Sequence, residues 1–96
     1  MAYEQEALTV ATEAFARDVC DQLGKNEESI LAIMDSAGDI ASALVNCPNQ
    51  SAVNETLVDS FGEQFDGDPE AMVTMAGSID FFWQVYNNTA EQEAEN

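Results

Sequence analysis

The chain has 96 residues, 46% of them apolar, with 19 Asp and Glu against one Lys, one Arg and no His, for a formal net charge of −17. That length holds one domain with a single core, and the apolar content sets it apart from chains too hydrophilic to fold, although its charge alone would place it among them. Imidazole chemistry is excluded, the charge opposes direct binding to nucleic acid or anionic lipid, and no apolar run approaches the roughly 20 residues that a membrane span requires.

The start, Met1-Ala2-Tyr3-Glu4-Gln5-Glu6, lacks the basic region and apolar stretch of a signal peptide. The expectation is a protein of the cytoplasm of a bacterial or archaeal cell, with Cys20 and Cys47 as free thiols. The first few residues and the last six are expected to be unstructured. This gives a single helical domain over residues 1–90 and a disordered acidic tail at 91–96.

The first helix is predicted from about Glu4 to Leu23, where Leu8, Ala11, Phe15, Val19 and Leu23 recur with helical period and Gly24 ends it. Arg17 lies one turn from both Glu13 and Asp21. Asn26 caps a second predicted helix, which has Glu27 and Glu28 in its first turn and a stripe of Ile30, Ile33, Met34, Ala37, Ile40, Ala41 and Leu44. Opposite that stripe stand Glu28, Asp35 and Asp39, with no Lys or Arg placed to pair with them.

Asn46-Cys47-Pro48-Asn49-Gln50 is the next turn, and a third helix is predicted over Ser51–Phe65. Its apolar side is Val53, Leu57, Val58, Phe61 and Phe65. Glu55, Asp59 and Glu63 repeat every four residues elsewhere on it, as an unpaired ladder that costs about 0.2–0.5 kcal/mol per like-charged pair. Gly62 weakens the helix interior by about 1 kcal/mol relative to Ala.

Asp66-Gly67-Asp68-Pro69-Glu70 combines a turn with a helix start, with Asp68 as cap and Pro69 at the first helical position. The fourth helix runs to about Tyr86 with a stripe of Met72, Met75, Ala76, Ile79, Phe82, Trp83 and Tyr86. A helix so apolar is either the centre of the bundle or a homodimer seam, and the residues outside the stripe, Val73, Phe81 and Val85, would form that seam. The fold class is therefore all-α, a compact antiparallel bundle of about four helices.

Catalytic and metal motifs are poorly represented, and no cofactor is expected. Asp66, Asp68 and Glu70 imitate the opening of a calcium loop, but Ala71 stands where that loop needs Gly, and Gly77 where it needs Glu. Asp35-Ser36-Ala37 resembles the Asp-Ser-Leu of acyl carrier proteins, small acidic four-helix proteins; the resemblance implies phosphopantetheine attachment at Ser36. Gln22-Leu23-Gly24 also resembles a carrier fragment. The match covers only these residues; Ala37 replaces the Leu, and the residues before Asp35 continue a helix where carriers have a long loop.

The unpaired acids remain to be explained, because net charge this far from zero repels itself in the folded state. Two rows, Glu28/Asp35/Asp39 and Glu55/Asp59/Glu63, would occupy the Lys and Arg sites of a basic nucleic-acid-binding protein and exclude its ligand, with Phe81, Trp83 and Val85 as candidate apolar anchors. In size, acidity and lack of catalytic residues the chain resembles the DNA-mimic inhibitors of phages and mobile elements, among them anti-restriction and anti-CRISPR proteins. That resemblance is one of charge character and implies a partner class without transferring any residue. Adaptation to high salt, or an acidic adaptor or chaperone for a basic client, are the alternatives.

Overall fold

A computed structural model describes residues 3–95, with side chains described as far as Gln92, and contains five α-helices: α1 (Gln5–Gln22), α2 (Glu27–Met34), α3 (Ala37–Leu44), α4 (Gln50–Gln64) and α5 (Pro69–Glu95). Helices α2 and α3 form one bent arm, so the molecule is an all-α bundle of four arms. Among the described residues no helix is long and apolar enough to cross a membrane.

Helix ends follow side-chain chemistry. Asn26 Oδ1 accepts from the Ser29 N–H at 2.9 Å, and Asn49 Oδ1 accepts from the Ala52 N–H at 2.9 Å, capping α2 and α4. Asp68 Oδ1 accepts from the Glu70 N–H at 3.3 Å, with Pro69 opening α5. At its C-terminus α1 closes with Lys25 N–H donating to Cys20 O and Gly24 N–H to Asp21 O, Gly24 being left-handed at φ +71. Helix α4 ends the same way, with Gly67 N–H on Gly62 O and Asp66 N–H on Glu63 O, but here the left-handed position is held by Asp66 at φ +55.

The single second helix expected from the stripe at residues 30–44 is broken in two. Ser36 N–H donates to Ile33 O at 3.1 Å, a three-residue span, before the ladder resumes with Ile40 N–H on Ser36 O. Asp and Ser compete for the backbone and Gly38 adds little helical preference, so the bend forms where the local sequence resists least. Both halves then pack on α1, burying Ile30 and Ile33 from α2 and Ala37, Ile40, Ala41 and Leu44 from α3.

The central helix is α1, not the apolar α5. It packs most extensively on α5 and also meets α2 and α3, burying Ala7, Leu8, Ala11, Thr12, Phe15, Ala16, Val19 and Cys20. Its three buried alanines let neighbouring helices approach from several sides. The apolar stripe of α5 turns accordingly: its buried residues are Ala71, Met75, Ser78 and Phe82, a face rotated by about 70° from the expected one at 100° per residue. Ala76 is thereby exposed, while Met72, Ile79, Trp83, Val85 and Tyr86 are partly buried against the core.

An aromatic chain runs through the interior. Phe61 meets Phe15 at 5.7 Å between ring centroids, Phe15 meets Phe82 at 6.2 Å, Phe82 meets Trp83 at 5.0 Å and Trp83 meets Tyr86 at 5.4 Å. Tyr3, expected among unstructured leading residues, packs on both Trp83 and Tyr86, and the Glu4 N–H donates to the Tyr86 hydroxyl at 3.1 Å. At the other end α5 continues past Tyr86 because no Gly or Pro interrupts it. Residues 91–95, assigned above to the tail, extend that helix, and Met1, Ala2 and Asn96 lie outside the described residues.

Candidate acidic interaction surface

Helix α4 buries Val53, Leu57, Phe61 and Phe65, which turns Glu55, Asp59 and Glu63 outward as one crest. The ladder is intact, and its members are separated by a helical rise of about 6 Å. Gly62 sits beside it for a steric reason: a Cβ there would lie 3.2 Å from Met72 Sδ, so Gly lets α5 pass close to α4.

The first row is less regular than expected. Glu28 lies in α2, Asp35 in the bend and Asp39 in α3, so these exposed carboxylates do not share one straight helix edge. Among the described residues none of the six side-chain carboxylates in the two rows makes a hydrogen bond or ion pair. Helices α3 and α4 are packed against each other, so the rows occupy adjoining arms.

The two cations lie towards one end, in α1 and the α1–α2 loop. Arg17, expected between Glu13 and Asp21, reaches instead across that loop to Glu27, at 3.1 Å. The hydrogen bond that Arg17 donates to Glu27, reinforced by the carboxylate's charge, raises the Arg17 pKa. Lys25 Nζ stands 6.0 Å from the centroid of the Phe65 ring. From Asn26 to the end of the chain there is no Lys, Arg or His.

Two shallow clefts open on the surface. One, of about 290 Å³, lies between the α1–α2 loop, α2 and the end of α4, lined by Lys25, Ser29, Ala32, Ile33, Gln64, Phe65 and Asp66. The other, of about 250 Å³, lies on the α1/α5 seam, lined by Ala14, Arg17, Asp18, Asp21 and Phe81. Among the described residues no group of three or more Cys, Asp or Glu is placed to hold a metal ion. Of the calcium-loop imitation, Asp68 is used as a cap and Asp66 closes α4.

Of the expected anchors, Phe81 is exposed, Val85 is half-buried and Trp83 is turned inward, its indole N–H donating to Asn54 Oδ1 at 2.6 Å. Val73 is the most open of the large apolar residues at 73% exposure. Ser36 is half-buried at the start of α3, preceded by helix α2 rather than by a long loop. Cys20 is buried and Cys47 half-buried; burial pushes the Cys20 thiol up from its ordinary value, with Lys25 opposing.

A polar cluster that periodicity did not indicate pins α1 to α5. Ser78, almost fully buried, donates to Asp18 Oδ2 at 3.0 Å, while Gln22 Nε2 donates to the same carboxylate at 2.9 Å and to Ser78 Oγ at 3.0 Å. An Asp and a Gln one turn apart, facing a Ser on an otherwise apolar helix, are the only sequence signal for it.

Compared with protein-family models, curated proteins and solved structures, the chain matches none.

Proposed function

We propose that this protein is an acidic nucleic-acid mimic, which binds the basic surface of a DNA- or RNA-binding defence or regulatory protein and blocks access of the nucleic acid. The observation that carries this reading is a surface of exposed carboxylates without partners, on arms that hold no cation beyond Lys25. A duplex carries one charge per about 1.7 Å of axis, so a length equal to this molecule's 36 Å long dimension holds roughly 21 phosphates, against a net charge of −17 here. The α4 crest alone is too sparse: three charges over about 12 Å fall below the one per 3.4 Å of a single strand. The acids of the α2–α3 arm therefore belong to the same surface.

Such a partner is recognised by steering and charge complementarity, which makes association fast and salt-sensitive. The test is capture of basic proteins from a bacterial lysate, followed by competition with duplex DNA and, separately, RNA for each partner recovered. Mutually exclusive binding is expected; a ternary complex with the nucleic acid sinks the reading. Reversing Glu55, Asp59 and Glu63 to Lys should weaken binding while the helical circular dichroism is unchanged, and unaltered affinity would remove the α4 crest from the interface.

A second reading is favoured by the spread of acids over the remaining surface, including Glu13 and Asp21 on α1 and Asp80 on α5. In that reading the carboxylates hydrate an ordinary protein in concentrated salt. Melts across salt concentration separate the two: a halophile's protein unfolds in dilute buffer, whereas a mimic folds there.

A further inference from the structure

The outer surface of α5, beside the α1/α5 seam, carries apolar residues that the carboxylate rows do not account for. The rotation of α5 leaves Val73, Ala76, Gly77 and Phe81 on its outer surface, with Val73 73% and Phe81 39% exposed. A Cβ at Gly77 would meet nothing within 4 Å, so the middle of this face is open to close approach. Phe81 forms one wall of the 250 Å³ cleft and Ala14 of α1 another, while Asp18 and Asp21 edge it. Asp80, also exposed, adds a carboxylate on the α5 side. Arg17 lines the cleft too, but its guanidinium is engaged by Glu27.

Charge decides what can cover this face. A second copy would bring another −17 against it, with acids at its rim and only one Lys and one Arg per chain to answer them. A segment with Lys or Arg flanking an apolar stripe meets the rim with opposite charge and the floor with like surface.

We propose that the α1/α5 seam is a docking site for a cationic amphipathic helix of the partner, with an apolar side chain of that helix seated in the cleft beside Phe81. The proposal rests on the mimic reading for the partner's basicity, and adds the apolar contact that holds the complex once charge has steered it together.

The test uses the whole chain and two synthetic probes: an amphipathic Leu/Lys peptide of about 18 residues, long enough to become helical on binding, and a Ser/Lys peptide of equal length and charge. Binding of each is measured by fluorescence anisotropy, and the contact surface is mapped by amide chemical shifts. The Leu/Lys peptide should bind about tenfold tighter, the value of one partly buried apolar anchor. Its shifts should centre on Ala14, Asp21, Gly77 and Phe81. Phe81→Ser should abolish the difference between peptides, and Gly77→Lys, which has room to fold normally, should weaken both near the seam.

Equal affinity of the two peptides, shifts centred on α4, or sedimentation showing the wild type to dimerise through this face would overturn the proposal. Peptide docking at the seam alongside simultaneous binding of DNA by every captured partner would sink mimicry alone. Mutually exclusive DNA competition without peptide discrimination would sink the seam alone.

Discussion

Asn54 accepts a 2.6 Å hydrogen bond from the indole N–H of Trp83, fastening the middle of α5 to α4 and turning the ring inward between Phe82 and Tyr86. A partly buried indole N–H that loses its acceptor costs about 1–2 kcal/mol. Asn54→Ala should lower urea stability by that amount and shift the emission of the single tryptophan to longer wavelength. Unchanged stability would mean that water replaces the amide without penalty.

The left-handed residue closing α4 is a second point of leverage. Gly24 and Asp66 occupy equivalent positions at the ends of α1 and α4, but Asp66 has a Cβ in a region that disfavours it by about 1–2 kcal/mol, less for Asp than for most residues. Asp66→Gly should therefore raise stability by roughly 0.5–1 kcal/mol, and Gly24→Ala should lower it by about 1 kcal/mol. Denaturant midpoints of the two variants should move in opposite directions; movement in the same direction would show that conformation at these caps is not the controlling factor.

Much of the fold was legible because it depends on local chemistry. The caps at Asn26 and Asp68, the stop at Gly24 and the core faces of α1 and α4 all follow from patterns within a few residues, and the Glu55/Asp59/Glu63 crest follows from the phase of α4. The rest depends on tertiary partners. The stripe of residues 30–44 keeps helical phase across the bend at Asp35–Ser36, so periodicity could not reveal that Asp35 leaves the line of Glu28 and Asp39. On α5 nearly every arc is apolar, so its sequence could not indicate which arc faces α1. On the arc that does face it, Ser78 meets Asp18 and Gln22, a contact 60 residues distant in sequence for Asp18.

That cluster makes a prediction of its own. Ser78→Ala removes the buried hydroxyl that joins Asp18 to Gln22, and should cost about 1 kcal/mol, as for a typical internal hydrogen bond. It should also speed amide exchange in the part of α5 around Phe81, because the register between α1 and α5 loses a polar pin at this level of the bundle. Loss of stability without faster local exchange would show that the cluster contributes energy but not register.

The buried thiol should make stability depend on pH, and the two thiols should differ in their reaction with reagent. Burial raises the Cys20 pKa above its ordinary value, so between the unfolded and folded values the native state holds a proton that the unfolded state has released. The native chain then binds more protons than the unfolded one, and stability must fall as pH rises: the contribution is whole below the ordinary thiol value and is lost through the folded one. Cys20→Ala should flatten this alkaline decline, and an unchanged decline would show that burial of this thiol is not its source. In native protein at mildly alkaline pH, a disulfide reagent should titrate Cys47, which is half-buried with its sulfur 3.7 Å from the Thr56 hydroxyl, well before Cys20. Release of both thiols at one rate would mean that α1 opens to solvent as readily as the α3–α4 turn, contrary to its place at the centre of the bundle.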